Sequence, residues 1–239
     1  MTNIWTITKR ELYAYFSSPI AYVTTAAFLI VQGYVFYIII DQVQQAGMDI
    51  ALGNYYTLFL LIFYTAMITM RLLAEEQRSG TLELVLTAPV RDWELIVGKY
   101  LASVILFLLL IVISFYQPIV MMKYGDPDVG TMASGYLGFF LLGSALLALG
   151  TLTSTFTSNQ VVAAIISLGL CILLLLVQFV SPQVANTTLG QFLNQLTILS
   201  HYFDFQEGLI KIQHVVYYIS LVAASLFLAT QVLQARRWR

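Results

Sequence analysis

The sequence predicts an all-α polytopic membrane protein that crosses the bilayer six times. Of its 239 residues, 59% are apolar and 10% are charged, whereas a soluble domain carries about 25% charged residues. A chain of this size has no single core large enough to bury so many apolar side chains. Six stretches reach the roughly 20 residues that a helix needs to cross the bilayer. They are 20–40, 55–74, 100–122, 135–156, 161–180 and 215–234.

The continuous apolar character of these stretches favours helices over a barrel. In lipid, unpaired backbone groups have no water to bind, so a spanning segment must be a helix or part of a closed barrel. Barrel strands alternate in polarity over about ten residues, and these stretches do not. The first stretch is too long for a signal peptide and has no A-x-A-like site, so we expect it to be retained. Residues 1–239 are thus expected to form one transmembrane domain.

Lysine and arginine are concentrated on one side of the predicted bundle. If both termini are cytoplasmic, only Lys123 and Lys211 of the eleven basic residues lie outside. Basic residues near the spans favour the cytoplasmic side, so the pattern predicts cytoplasmic termini. The inner basic residues are Lys9, Arg10, Arg71, Arg78, Arg91, Lys99, Arg236, Arg237 and Arg239.

Residues 1–19 are predicted to form an interfacial helix before the first span. This segment combines the aromatic residues Trp5 and Phe16 with the basic residues Lys9 and Arg10. Amphipathic rings prefer the headgroup region, and long basic side chains reach towards it. We therefore expect this helix to lie along the membrane surface.

The longest inner connection is residues 75–99, which read EEQRSGTLELVLTAPVRDWELIVGK. Gly80 suits the left-handed conformation that ends a helix continuing from the second span. A short, mostly apolar helix is predicted at 81–87, and Pro89 ends it because a residue before proline avoids the α region. Asp92 is predicted to cap the next helix, which continues into the third span. The apolar side chains of such a helix must be shielded from water, either by the lipid surface or by a cytoplasmic protein.

Three stretches resemble a known family of transport proteins. Residues 71–102, RLLAEEQRSGTLELVLTAPVRDWELIVGKYLA, resemble the coupling loop of type-2 ABC transporter permeases, and 75–83 is the most specific part. Residues 7–23 (ITKRELYAYFSSPIAYV) and 200–210 (SHYFDFQEGLI) resemble segments of the gliding-motility-associated subgroup. The resemblance covers essentially the whole chain, including its six-span layout.

The resemblance implies a permease that works as a pair, with a second copy or a paralogue, in the bacterial cytoplasmic (inner) membrane. Each half would present its coupling loop to a separate ABC ATP-binding subunit, and the pair would export a substrate by alternating access. ATP and Mg²⁺ would belong to the ATP-binding subunit, so this chain is expected to be no enzyme and to hold no cofactor or metal. An outer-facing accessory protein is a further partner that the resemblance allows.

The resemblance also implies which residues form the functional sites. The coupling residues are Glu75, Glu76, Arg78, Ser79, Gly80, Thr81, Leu82, Glu83, Leu84, Leu86 and Pro89; those of the interfacial helix are Trp5, Lys9, Arg10 and Phe16; those of the outer helices are His201, Asp204 and Glu207. Segment 189–212 is too polar for a seventh span. Short amphipathic or re-entrant helices are expected there, within the outer loop 181–214.

Several kinds of chemistry are disfavoured by missing motifs. No G-x-x-x-x-G-K-[ST] phosphate loop occurs, and Gly98-Lys99 lacks the earlier glycine. Two histidines and one cysteine make a zinc site unexpected, and a net charge of −1 disfavours nucleic acid as a partner. Ser200, His201 and Asp204 are close in sequence, but a hydrolytic triad is defined by geometry. A polar outer loop is the simpler interpretation.

Two further functions stay open beside ATP-driven export. Apart from Arg71 near an inner end, the predicted spans carry no Asp, Glu, Lys or Arg. Ion-coupled carriers usually place an ionisable residue at mid-membrane, so the pattern favours an external energy source over an ion-coupled carrier or channel. The other alternative is a non-transporting permease that transmits ATP-driven motion to an outer partner.

Two spans contain residues that predict their packing. Gly143, Gly150 and Ser154 share one face of the fourth span, and small residues allow close approach of helix backbones. We therefore expect the fourth span to pack tightly within the chain. Pro118 is expected to kink the third span unless its lost hydrogen bond is replaced, because proline lacks the backbone N–H that the helix needs.

Overall fold

The chain folds into a bundle of long apolar helices. A computed structural model describes residues 2–43, 51–81, 90–124, 127–180 and 197–237. Those ranges hold ten helices and no strand, which confirms the predicted all-α class. The helices are α1 (Thr2–Ser17), α2 (Pro19–Val43), α3 (Tyr55–Thr69), α4 (Ala74–Ser79), α5 (Asp92–Ser114), α6 (Tyr116–Tyr124), α7 (Val129–Thr155), α8 (Gln160–Val180), α9 (Ile198–Gln206) and α10 (Ile212–Arg237).

Within the described residues, six helical stretches are long and apolar enough to cross a membrane, as the sequence predicts. They are Pro19–Asp41, Tyr55–Ser79, Asp92–Lys123, Val129–Thr155, Gln160–Gln178 and Ile212–Ala235. Two of them begin well before the predicted spans, at Asp92 rather than 100 and at Val129 rather than 135. Hydropathy marks the lipid-embedded residues, whereas backbone hydrogen bonding extends each helix into polar sequence.

Helix α7 forms the centre of the bundle. It contacts α3, α5, α8, α9 and α10, and 78% of its most apolar segment is buried, against 22% for the spans formed by α2, α8 and α10. Its glycines make this packing close. The ring of Phe107 in α5 lies against Gly143, and the side chain of Thr69 in α3 lies against Gly150. The expectation that the fourth span packs within the chain is confirmed.

The third span is interrupted just before Pro118. Helix α5 ends at Ser114 and α6 begins at Tyr116, a break that precedes Pro118. Proline has no N–H to donate to the carbonyl four residues earlier, which is that of Ser114. Instead, the hydroxyl of Tyr136 in α7 donates to the Ser114 carbonyl oxygen at 3.0 Å. The lost hydrogen bond is therefore replaced from a neighbouring helix.

Helix α9 lies within the predicted outer segment and is packed into the bundle. The Tyr202 hydroxyl donates to the Leu52 carbonyl oxygen at 2.9 Å, and the Tyr218 hydroxyl of α10 donates to the Ile198 carbonyl oxygen at 2.8 Å. Tyr202 and Phe205 are fully buried. Helix α9 is thus an integral part of the bundle rather than a helix lying on its surface. The rest of the predicted outer helices, up to residue 196, lies outside the described residues.

Candidate functional site

Helix α4 carries the first residues of the predicted coupling loop. It continues α3 out of the bundle, and Gly80 ends it with a φ of 71°. This confirms the prediction that Gly80 adopts the left-handed conformation. Thr81 is the last described residue of this segment, and its hydroxyl lies 2.8 Å from that of Ser79. The predicted coupling residues Leu82, Glu83, Leu84, Leu86 and Pro89 lie outside the described residues.

The base of α4 is fixed to the C-terminal end of α7. The Ser154 hydroxyl oxygen accepts hydrogen bonds from the backbone N–H groups of Leu73, at 3.0 Å, and of Ala74, at 3.1 Å. The Gln77 side-chain amide donates to the Thr155 carbonyl oxygen at 3.3 Å. The first N–H groups of a helix have no partner within it, so α7 supplies the missing acceptor. A movement of α4 is thereby linked to the central helix of the bundle.

A buried lysine joins three helices at this end of the bundle. The Lys99 Nζ atom of α5 lies 2.9 Å from Glu11 Oε1 of α1 and 2.9 Å from Glu76 Oε1 of α4. The Arg10 guanidinium closes the group, at 2.9 Å from Glu11 Oε1 and 2.7 Å from Glu76 Oε1. We call Arg10, Glu11, Glu76 and Lys99 the Lys99 cluster. It cross-links the N-terminal helix, the coupling segment and the third span.

Lys99 is fully buried, a property that its count among the basic residues of the predicted inner side did not indicate. The side chain is 0% exposed, and those of Glu11 and Glu76 are each 15% exposed. Removing a charge from water costs several kcal/mol unless an opposite charge and hydrogen bonds compensate. Here two carboxylates and two basic groups cancel in net charge. The cluster is therefore stable only while all three helices keep their places.

Glu11 gives the Lys99 cluster a pH dependence. Burial by itself raises the pKa of Glu11, but attraction and hydrogen bonding by Lys99 and Arg10 outweigh it and hold the pKa below the usual 4.5. A folded-state pKa below the unfolded one means that the ion pairs stabilise the fold above about pH 4.5. That contribution is lost as the pH falls through the folded-state pKa.

We therefore expect the apparent Tm of the detergent-purified chain to fall steeply once the pH drops below about 4.5. Glu11→Gln removes the titrating carboxylate, so its Tm should be lower than that of the wild type at neutral pH and should change less on acidification. Thermal unfolding of both proteins across the acid range measures the difference. Parallel pH curves for the two proteins would contradict the role given to Glu11.

Helix α1 lies directly on the first turns of α5. The Thr8 hydroxyl donates to the Gly98 carbonyl oxygen at 3.0 Å. A Cβ atom added at Gly98 would stand 2.8 Å from Ile7 Cγ2 and 3.1 Å from the Ile4 carbonyl oxygen. Because a side chain would fill this space, glycine at 98 permits the contact between the two helices.

The opposite face of α1 carries the predicted interfacial residues. Trp5 and Phe16 are exposed, and Lys9 Nζ lies 5.4 Å from the centre of the Trp5 ring. Arg10 is half-exposed and turns towards the Lys99 cluster instead. Exposed aromatic and basic side chains on one face suit a helix at the headgroup region.

The start of α5 differs from the prediction in one position. The N-cap is Arg91, with extended backbone, and Asp92 is the first helical residue. The Glu94 carboxylate accepts a hydrogen bond from the Arg91 N–H at 3.0 Å and another from the Asn3 side chain at 3.2 Å. Asp92 was predicted as the cap because Asp favours that position, but Glu94 satisfies the cap N–H from within the first turn. Asn3 adds a second contact between α1 and α5.

The predicted outer residues form a separate polar group at the junction of α9 and α10. Asp204 contacts Lys211 and lies 2.8 Å from His214 Nε2. His201 Nδ1 lies 2.9 Å from the Thr197 carbonyl oxygen. Because Asp204 pairs with His214 rather than His201, the neighbouring Ser200, His201 and Asp204 do not have the geometry of a hydrolytic triad. Glu207 is exposed at the end of α9.

The ABC-2 family transporter protein family matches residues 5–234. The chain belongs to that family. This ABC-2 chain is therefore an ABC permease, a multi-pass membrane subunit of a transporter. No curated protein matches it.

The structure brings together only part of the predicted site of this ABC-2 chain. Glu76 and Arg10 meet in the Lys99 cluster, whereas Glu75, Arg78 and Ser79 are exposed on α4. The sequence did not indicate Glu11 or Lys99 as site residues, nor Gly98 as the contact for α1. Glu11 and Lys99 are 88 positions apart, and no local pattern joins them.

Proposed function

We propose that this ABC-2 chain is the membrane subunit of an ATP-driven exporter and that a separate ABC ATP-binding subunit docks on α4 and the loop that follows it. The observation that carries the proposal is the Lys99 cluster. It joins the segment that would receive the ATP-binding subunit, α4, to α1 and to the third span, α5.

The proposed mechanism follows from these links. Closure of two ATP-binding subunits would push on the coupling segments of two permease halves. Glu76 would pass that displacement to Lys99, and the Ser154 hydroxyl would pass it to α7. The halves would then rock and open a central path to the outside. Such coupling requires only that the ATP-binding subunit contacts the permease differently in its two states.

The remaining expectations form part of the same proposal. The second half is another copy of this chain or a paralogue, and the chain is assigned to the gliding-motility-associated subgroup. The permease resides in the bacterial inner membrane with both termini in the cytoplasm, and α1 lies along the inner surface. The chain itself performs no catalysis, since ATP and Mg²⁺ bind the partner subunit.

Co-purification of the full chain with its genetic neighbours tests the proposal. We expect a stoichiometric partner that carries a phosphate-binding loop and whose ATPase activity responds to the permease. Leu82→Asp should uncouple that activity, because it places a charge on the apolar coupling segment. Leu209→Asp, a matched change at an exposed leucine beyond α9, should leave coupling intact. An absent ATPase partner, or equal coupling in both variants, would contradict the proposal.

A non-transporting permease that acts on an outer partner is the second candidate. The observation that favours it is the attachment of α9 to three other parts of the bundle, through Tyr202, Tyr218 and Ser134. Such attachment would carry motion of the spans to the outer end. Nucleotide-dependent change in the accessibility of a cysteine at Glu207, without substrate flux, would favour this candidate. Flux that continues without ATP and collapses with the membrane potential would instead favour an ion-coupled carrier.

A further inference from the structure

The two histidines of the chain lie against each other. His201 of α9 and His214 of α10 have ring centres 4.7 Å apart, and the rings meet edge to face. Each residue is only 8% exposed. Histidine is the side chain whose ordinary pKa lies between about pH 5 and 8, and the sequence contains only these two. All histidine titration of the protein therefore takes place at one contact between α9 and α10.

The hydrogen bonds of the two rings provide for one positive charge but not for two. His214 Nε2 lies 2.8 Å from Asp204 Oδ2, so a charged His214 has a carboxylate partner. His201 Nδ1 lies 2.9 Å from the Thr197 carbonyl oxygen, and its ring stacks on that of Tyr217 with 4.2 Å between centres. Neither neighbour of His201 carries a negative charge at neutral pH. His214 Nδ1 is buried and has no hydrogen-bond partner among the described residues.

The surroundings of the two rings supply no second carboxylate. Asp204 also pairs with Lys211, and this hydrogen bond holds the pKa of Asp204 below its usual 3.8. Helices α7 and α8, which pack against α9, contain no Asp, Glu, Lys, Arg or His. The other titratable side chains on α9 and on the parts of α3, α7, α8 and α10 that contact it ordinarily ionise above about pH 8. They are Tyr202, Tyr55, Tyr136, Cys171, Tyr217 and Tyr218.

Burial determines how this contact responds to pH. Burial, reinforced by the neighbouring His214, lowers the pKa of His201 below its usual 6.5, although the Thr197 carbonyl and Asp204 act in the opposite direction. A base whose pKa is lowered by packing binds fewer protons when packed than when released. The packed arrangement of α9 is therefore favoured above about pH 6.5 and weakens as the pH falls through the lowered pKa.

Helix α9 is attached to the end of the bundle opposite the Lys99 cluster. The Ser134 hydroxyl of α7 donates to the Phe205 carbonyl oxygen at 2.8 Å, whereas Ser154 of the same helix holds the base of α4. These two serines are about 30 Å apart along α7, at roughly 1.5 Å per residue. Tyr202 of α9 also holds the connection before α3, through the Leu52 carbonyl oxygen. Release of α9 would therefore loosen the packing at this end of α3 and α7.

We propose that the contact between His201 and His214 is an acid-operated latch, which keeps α9 packed against α10 while at most one ring is charged and releases it when both are protonated. Two imidazolium rings at this separation repel each other, and only His214 is paired with Asp204. If the termini are cytoplasmic, as proposed above, the latch responds to the pH outside the membrane. The latch itself does not depend on that assignment.

Cys171, the only cysteine of the chain, can report the release of α9. It is buried and shares a cavity of about 10 Å³ with Ile198 and Leu199 of α9, a space with room for about one water molecule and none for a thiol reagent. We expect dithiodipyridine to label Cys171 of the detergent-purified full chain about fivefold faster or more at pH 5 than at pH 7.5, a usual size for coupled equilibria. Each rate is divided by that of the chain unfolded in SDS at the same pH, so the pH dependence of the reagent and the thiol cancels.

Two substitutions remove the charge of a ring and keep its hydrogen bond. His201→Asn retains a side-chain N–H near the position of Nδ1, and His214→Gln retains one near that of Nε2, while neither amide becomes charged. Both variants should label Cys171 at the slow rate of the wild type at pH 7.5 and should stay slow at pH 5. Glu11→Gln, which alters the acid-sensitive Lys99 cluster instead, should keep the full rise.

Several outcomes would overturn the latch. Wild-type labelling that is unchanged at pH 5 would mean that acid does not release α9. Fast labelling of both histidine variants at pH 7.5 would mean that the neutral rings, and not their charge, decide the packing. A rise that persists in both histidine variants, or is lost in Glu11→Gln, would place the acid response elsewhere. The labelling uses no ATPase or nucleotide, so its failure leaves the proposed transport function standing.

Discussion

Replacing Lys99 with methionine is expected to destabilise the end of the bundle that holds the Lys99 cluster by about 3–5 kcal/mol, the usual cost of removing one partner from a buried ion pair. Glu11 and Glu76 would then face each other, largely buried, with only the half-exposed Arg10 between them. Helix α1 should detach from α5, because the attraction that holds its charged face is lost. A lower apparent Tm in detergent and faster proteolysis within α1 would report the change.

Lys9→Met is the matched control, because Lys9 is exposed on the opposite face of the same helix. It should change the free energy of unfolding by only a few tenths of a kcal/mol, about the usual effect of a surface substitution, and so leave the Tm close to that of the wild type. Adding Glu11→Gln and Glu76→Gln to Lys99→Met should recover most of the lost stability, since no unpaired buried charge remains. If Lys99→Met proves as stable as Lys9→Met, the cluster does not hold these helices together.

Replacing Gly150 with leucine is expected to prevent correct packing of α7 against α3. A Cβ atom at Gly150 would stand 2.9 Å from Thr69 Cβ and closer still to the Thr69 hydroxyl, which is held by a hydrogen bond to the Thr65 carbonyl oxygen. Overpacking of this kind costs about 1–3 kcal/mol or more. The yield of monodisperse protein after detergent extraction, together with its Tm, measures the effect.

Gly169→Leu separates packing from helix propensity. Both glycines lie inside helices, so each leucine gains about 1 kcal/mol of intrinsic helix preference. A Cβ atom at Gly169 meets nothing within 4 Å, so that variant should be as stable as the wild type or more so. If the two variants are extracted and melt alike, α7 does not approach α3 as closely as described.

The six spans could be predicted because lipid imposes a simple rule on composition. A segment that crosses about 30 Å of hydrocarbon must be long, apolar and helical. Local geometry was predictable for a related reason: the left-handed turn at Gly80 and the break before Pro118 depend on the backbone of a single residue type. These features need no knowledge of the neighbouring helices.

The Lys99 cluster could not be predicted, because its members are brought together only by the packing of α1 across α5. A lysine before an apolar span matches the ordinary pattern of an inner-side cation, so its complete burial gave no local signal. The choice of Glu11 and Glu76 as partners, rather than the neighbouring Glu75, depends on which carboxylates face α5. Likewise, Ser154 was predicted as a small packing residue, whereas its hydroxyl also caps α4.

Site-specific photo-crosslinking from Ser79 tests the central claim, that a separate ATP-binding subunit docks beside α4. Ser79 is exposed at the tip of α4, and Leu209, exposed beyond α9, provides the control position. We expect Ser79 to cross-link to a protein whose peptides, identified by mass spectrometry, include a phosphate-binding loop, and Leu209 to give no such adduct. Cross-linking of the ATP-binding subunit from Leu209, or from neither position, would contradict the account.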